Sequence, residues 1–497
     1  MPESYDVVVV GSGNAGFCAA HAAREHVERV LIVEKAPRAW AGGNSYFTAG
    51  ATRTTFDSLA DLRPILDDLT DAQAARVDLP PYTAEQFMAD MLRVTEGRCD
   101  RKLAGILVND IADAVRWMYS KGIRWKLMYE RQSFQVEGKA RFFGNLPLGT
   151  VGEGVGLIEQ HTAAAERSGI AIRYESPVID LLRDARGAVT GVAVAGPEGR
   201  EEIAARAVVL ASGGFEADPQ RRAAWLGPNW DVAKVRGTPY NTGEVLQMAL
   251  DAGAQPYGNW SGCHAIQWDA GAPPSGDRAI AHRFSKQSYP IGIVVNRNAE
   301  RFLDEGADFR NYTYAKYGAE ILKQPGAIAW QLFDAKTDPL LRQDEYTAPG
   351  VSRHEAGSVR ALASQIGLNP DALEGTVSAF NAAIQPGDFN PAIKDGVRTV
   401  GLTPPKSNWA LPLDIPPYFA FAVTCGITFT FGGVKIDADA RVLDRADRPI
   451  PGLLAAGELV GGLFYSNYPG GSGLANGAVF GRRAGASAGR YAVASNE

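Results

Sequence analysis

Cysteine and histidine are scarce in this 497-residue chain, with four of the first and six of the second. Cys18, Cys99, Cys263 and Cys425 lie far apart and form neither a CxxC pair nor a CxxCH. That spacing argues against an iron–sulfur cluster, a zinc site (no metal is expected) and covalent c-type haem, and predicts free buried thiols in a reducing compartment. Positive charge is not in excess either: 50 Lys and Arg face 56 Asp and Glu, for a net charge of −6. Nucleic-acid binding selects basic surfaces, so that class is excluded. No apolar run reaches the ~18 residues of a membrane-spanning helix, and the polar, acidic leader does not read as a signal peptide. A cytoplasmic protein with no transmembrane segment is expected. Repeats and low-complexity tracts are absent, and the length predicts two or three domains.

Glycine is abundant, at 55 residues. It clusters without period around 11–16, 42–50, 152–156, 213–214 and 426–481, as expected where backbone approaches a ligand at several loops. The first cluster is the most specific. In "YDVVVVGSGNAGFCAAHAAREHVERVLIVEK", Val7 to Val10 read as a strand buried on both faces. Gly11-Ser12-Gly13-Asn14-Ala15-Gly16 turns into an alanine-rich helix, and Arg29 to Glu34 return as a second strand. Gly11 makes the turn, Gly13 admits a pyrophosphate, and Gly16 lets the helix pack closely. The helix N-terminus favours phosphate charge, and Glu34, followed by Lys35, can accept ribose hydroxyls. Further glycine-rich strand ends follow at Gly42-Gly43-Asn44-Ser45 (continuing to Gly50), at "ARAVVLASGGF" with Ser212 and Gly213, and at "IPGLLAAGELVGG" with Glu458. A nicotinamide site needs one such fingerprint. Loops from both ends of the chain favour the longer cofactor, FAD.

These segments, with "SYPIGIVVNRNAERFLDEGADFRNYTYAKYG" and "GGLFYSNYPGGSGLANGAVFGRRAG", resemble the fumarate reductase and succinate dehydrogenase flavoproteins, and within them the FAD-dependent tricarballylate dehydrogenase group. The resemblance runs from residue 5 to about 485. It implies an α/β fold: a Rossmann-like, discontinuous FAD-binding domain (1–240 and 426–497) with an inserted α+β capping domain (241–425) and a cleft between them. It also implies flavin contacts from the Gly42–Ser45 loop, Val178, Gly243 in the "YNTGEVLQMAL" turn, Glu458, and Ser472 and Leu474 at the start of the last helix. Asn44 stands where covalent relatives carry a histidine, so FAD is expected to be non-covalent.

For catalysis the resemblance implies Arg310, after "VNRNAERFLDE", as the proton handler beside the flavin. An ordinary guanidinium, with a pKa above about 12, would need burial and neighbouring cations to act as a base. The alternative is an ion pair with Asp304, Glu305 or Asp308. His264, in "WSGCHAIQW", resembles a cap-side histidine that binds a substrate carboxylate. Two departures stand out. Thr428 and Thr430 lie where the reductases have a histidine, and Asn467 lies where they have an arginine, which argues against a small C4 dicarboxylate. Tyr468 resembles the tyrosine of the 3-ketosteroid Δ1-dehydrogenases that holds a ketone oxygen, with Tyr312, Tyr314 or Tyr317 as base. The expected reaction is therefore desaturation of a polycarboxylate such as tricarballylate, with a cyclic-ketone desaturase as the alternative. Trp260, Trp268, Phe284 and Tyr289 are candidate pocket walls. Arg131, Lys139 and Arg141, with His282, Arg283 and Lys286, are candidate carboxylate ligands. Electrons must leave to an acceptor outside the chain, for example an iron–sulfur or quinone-linked partner.

Overall fold

The computed structural model describes residues 3–196 and 199–495, so the first two residues of the leader lie outside it. The Glu3–Val10 strand sits between two parallel neighbours, Val30–Val33 and Gly199–Leu210. Val7 to Val10 are buried, which is why the run is apolar at every position rather than at alternate ones. Pro449–Ala455 adds to the far side of Gly199–Leu210 and Ala171–Arg173 to the far side of Val30–Val33, so both ends of the chain build one eight-stranded sheet. The Asn14–Arg24 helix covers this sheet and packs along the C-terminal helix Ser472–Ala494. Small residues permit the approach: a Cβ on Gly481 would lie 2.5 Å from the Ala15 carbonyl oxygen.

A second, six-stranded sheet is organised on one long strand, Tyr418–Val434. Pro256–Asp269 and Ala329–Asp334 pair antiparallel to it, and the short Lys234–Val235 strand pairs parallel. Two register shifts interrupt the pairing with Pro256–Asp269. One of them, between His264 and Ala265, leaves Thr428 opposite no residue. An inserted residue of this kind bends the strand and re-aims side chains. We propose the partition expected from the sequence, an FAD layer from both ends and a cap from the middle. The crossing near 425 is made inside the continuous strand Tyr418–Val434 rather than in a linker. All four cysteines are free and buried. Among the described residues no helix is long and apolar enough to cross a membrane.

Candidate active site

Two adjoining cavities lie where the sheets meet. The first, of about 330 Å³, is lined by Gly11, Gly13, Asn14 and Ala15 of the first turn, by Glu34 and Lys35, and by Gly43, Asn44 and Ser45. Val178, Ser212, Gly213, Gly243 and Glu458 close it. Every one of these residues was expected from the sequence. A Cβ on Gly13 would sit in van der Waals contact with Ser45 Oγ at 3.6 Å and the Gly42 carbonyl oxygen at 3.8 Å, so the turn is already closely lined on that side. Glu34 fixes the turn by accepting from Ser12 N at 2.9 Å and Ser12 Oγ at 2.6 Å, and from Ala36 N at 2.8 Å. Four expected contacts do not line either cavity. Gly16 packs the helix on the turn and Gly42 abuts Ile158. Gly50 abuts Thr150 and Glu153, and Ser472 is buried with an unpartnered hydroxyl. Its neighbours Gly473 and Leu474 reach the second cavity instead.

Asn44 takes a different part from the one its loop position suggests. Its amide donates to Glu216 Oε1 at 2.6 Å and to the Thr428 carbonyl at 2.5 Å, and it accepts from Thr238 N at 2.8 Å. The side chain ties its loop to Glu216, Thr238 and the long Tyr418–Val434 strand, and has no hydrogen left to donate. Glu216 and Glu458 face one another in the interior. Burial first, and then Glu216, hold the Glu458 carboxyl well above its usual range.

The second cavity, of about 170 Å³, shares Asn14, Ala15, Asn44, Ser45 and Glu458 with the first. Arg310, His264 and Tyr468 all line it. So do Arg131, Arg236, Arg342, Gln132, Gln287 and Tyr314. Arg310 begins a short turn, Arg310–Tyr312, that leads into the Tyr314–Leu322 helix. Asn467 donates to the Tyr312 carbonyl at 2.6 Å and Gly470 N to the Asn311 carbonyl at 2.7 Å, which pins this turn to the Tyr468 loop.

None of the carboxylates beside Arg310 in sequence pairs with it. Glu305 is paired with Arg301, Asp308 with Arg93 and Lys394, and Asp304 accepts from Ser407. The Arg310 guanidinium instead donates to the Arg131 carbonyl and stacks 4.8 Å from the centre of the Phe143 ring. Burial, then the neighbouring Arg342, push its pKa well below the usual value, against the pull of Glu345.

Behind it stands a charged network. Arg131 pairs with Asp344 and, at 2.6 Å, with Glu345, and Arg342 lies 3.5 Å from the same Glu345 oxygen. Burial alone would raise the Glu345 carboxyl, but Arg342 and Arg131 override it and hold the group charged. A guanidinium only donates, so His282 Nε2, 3.1 Å from Arg131 Nη1, accepts. Glu153, His282 and Asp344 are close enough together to hold a metal ion, but Arg131 already supplies positive charge between the last two. The trio reads as part of the charge network.

Of the expected basic ligands, only Arg131 lines the cavity. His282 and Lys286 are buried behind it, while Lys139 and Arg283 are exposed. Trp260, Trp268, Phe284 and Tyr289 line neither cavity, and Trp268 and Phe284 pack edge to face. His264 is held in an aromatic box of Tyr314, Phe429 and Tyr468, and both its ring nitrogens lack a partner. Burial, and then Arg236, lower its pKa well below the usual value, so the ring is neutral. The Tyr314 and Tyr468 hydroxyls hydrogen-bond to each other, and burial raises both pKa values.

Residues 6–474 match the model of the FAD binding domain family. The chain belongs to that family. This FAD-binding protein is 30% identical, over 99% of its own length and 76% of the other, to a probable fumarate reductase of Shewanella frigidimarina. It is 28% identical to the 4-oxocyclohexanecarboxylate 2-dehydrogenase of Sinomonas cyclohexanicum, over 94% of this chain and 89% of that one. The open conformation of a flavocytochrome c3 fumarate reductase shares its fold with a TM-score of 0.73 at 29% identity, covering 99% of this chain and 79% of that one. The protein is thus an FAD-dependent oxidoreductase of the fumarate reductase group.

Arg236, Arg342, Glu345 and the two glutamines were not foreseen. None of them belongs to a recognisable motif, and only the tertiary fold brings 131–132, 236, 287 and 342–345 together.

Proposed function

We propose that this FAD-dependent oxidoreductase of CH–CH groups desaturates a polycarboxylate, tricarballylate to cis-aconitate being the reaction of choice. One observation supports this above the others: four guanidinium groups line a cavity of about 170 Å³, and the carboxylates bound to them, Glu345 and Asp344, stand behind the wall rather than in it. A surplus of buried positive charge facing a cavity suits a substrate with several negative charges.

Gly11, Gly13, Glu34 and Ser45, which line the first cavity, would hold FAD, and the flavin would supply the hydride acceptor. The protein does the rest. Guanidinium groups and Gln132 orient the acid so that one C–H faces the ring. Arg310, kept short of its usual basicity by burial and by Arg342, takes the proton from the adjacent carbon and gives it to solvent once the product has left. Turnover in this direction needs Arg310 unprotonated before the substrate reacts, so the rate should rise with pH through its lowered pKa. The positive end of the Ser472–Ala494 helix, presented through Gly473 and Leu474, favours negative charge on the reduced ring. The electrons then pass to an external acceptor, such as a quinone or an iron–sulfur protein.

The test is turnover of tricarballylate with an artificial electron acceptor, set against cyclohexanone and a 3-ketosteroid. Faster turnover of either ketone would replace the proposal with the second reading, a cyclic-ketone desaturase. The Tyr314–Tyr468 hydroxyl pair favours that alternative, since two phenols in contact suit a ketone oxygen and an α-proton. Tyr468→Phe separates the two: with a polycarboxylate substrate we expect less than about a tenfold loss in kcat/KM, and with a ketone about 10²–10³-fold.

We further propose that FAD is held without a covalent bond. Acid precipitation should leave all the yellow colour in the supernatant. Colour that stays with the pellet would show a covalent link.

A further inference from the structure

Arg236 follows the short Lys234–Val235 strand, and its backbone N–H donates to the Ile427 carbonyl at 2.8 Å, which holds it beside Thr428. Its side chain is buried, with 7% of the residue exposed, and it lines the second cavity. Of the five N–H bonds on the guanidinium, one finds an acceptor, the Thr428 hydroxyl at 3.3 Å, and Nε has no partner.

The other guanidinium groups of the wall are provided for. Arg131 has two carboxylates, Arg342 has Glu345, and Arg310 donates to a backbone carbonyl. Among the described residues no carboxylate lies within ion-pairing distance of Arg236, and the nearest phenols, Tyr314 and Tyr468, are neutral. A buried, unpaired charge costs several kcal/mol, so a fold that keeps one has an anion to pair it with.

We propose that Arg236 is the anchor for a substrate carboxylate, taking the charge that the cavity wall itself withholds. The inference rests on the polycarboxylate reading and names the residue that enforces it. Thr428 accepts from Arg236, which leaves its O–H free to donate to the same carboxylate, whereas Asn467 lines neither cavity. Parallel pairing of Val235 with Ile427 sets Arg236 beside Thr428, the residue left unpaired at the register shift. Arg236 thus meets one carboxylate directly, while Arg310 remains free to handle the proton.

A structural arginine and a substrate anchor differ in a way that can be measured. Replacing an uncompensated buried charge with an apolar side chain of similar length relieves the folded protein. Arg236→Met is therefore expected to raise the melting temperature of the ligand-free holoenzyme. The same substitution should weaken tricarballylate, followed by the perturbation it causes in the visible spectrum of the bound flavin, by at least about 30-fold. Cyclohexanone, an uncharged probe, should behave alike on both proteins.

If Arg236→Met binds tricarballylate within about threefold of the unaltered protein, or melts lower with binding unchanged, Arg236 is not the anchor and the polycarboxylate reading survives. If tricarballylate leaves the spectrum of the unaltered protein unmoved, the polycarboxylate reading itself falls. Should Arg236→Met purify without flavin, Arg236→Gln, which keeps a hydrogen bond to Thr428 within reach, is judged by the same binding thresholds.

Discussion

Arg310→Lys is expected to lower the rate of flavin reduction by tricarballylate by about 10²–10⁴-fold, the usual contribution of a positioned proton carrier, while the protein stays yellow. Lysine keeps the positive charge, so electrostatics alone would predict a mild effect. It cannot keep the geometry. The guanidinium reaches the Arg131 carbonyl while its carbon lies 4.8 Å from the centre of the Phe143 ring, and an ammonium on a flexible stem cannot reproduce the planar fork. FAD should remain because Arg310 lines the second cavity and not the first. Single-turnover absorbance under anaerobic conditions measures the step directly. A rate within about threefold of the unaltered enzyme would remove Arg310 from the proton path.

Glu345→Gln carries the second large effect, and it falls on stability. The carboxylate is fully buried and is the interior counter-charge for both Arg131 and Arg342. Removing its charge leaves two guanidinium groups facing one another, a loss of about 3–5 kcal/mol. The dependence on pH has a definite sign. Arg342 and Arg131 hold the folded-state pKa of Glu345 below its usual value, against the upward push of burial. Its stabilisation is therefore fully present above the unfolded value of about 4.3, and is lost as pH falls toward the lower folded value. Denaturant midpoints measured at neutral pH and at successively lower pH should converge for the two proteins as the medium becomes acid. Parallel curves would show that Glu345 is not the counter-ion.

The flavin half of the molecule was legible because its signals are local. Gly11, Gly13 and Gly16 act within one turn, and the strand and helix on either side are fixed by a few neighbours. The same holds for Arg310, His264 and Tyr468, which the resemblance led to and which the fold brings to one cavity. What the sequence hid is the rest of the wall. Nothing in "KVRGTPYN" distinguishes Arg236 from a solvated arginine, since its burial comes from pairing next to Ile427, almost two hundred residues away. Arg342 and Glu345 belong to a short helical turn whose polar residues look like surface. In the other direction, Trp260 and Trp268 seemed suited to a pocket, but their places on the Pro256–Asp269 strand aim them into packing, and only the register shift at His264 turns a side chain of that segment to the cavity. The acidic and phenolic crowd around residues 302–318 is likewise a junction: Asp308 binds Arg93, and Tyr312 binds Asp90 and Arg53.

The decisive measurement is anaerobic mixing of the oxidised holoenzyme with tricarballylate while the visible absorbance of the flavin is followed. The guanidinium-lined cavity adjoining the glycine-lined one predicts that the acid bleaches the flavin, and that cis-aconitate restores the colour of enzyme reduced beforehand. Absorbance unmoved by either acid, in a sample that a cyclic ketone bleaches at once, would contradict it.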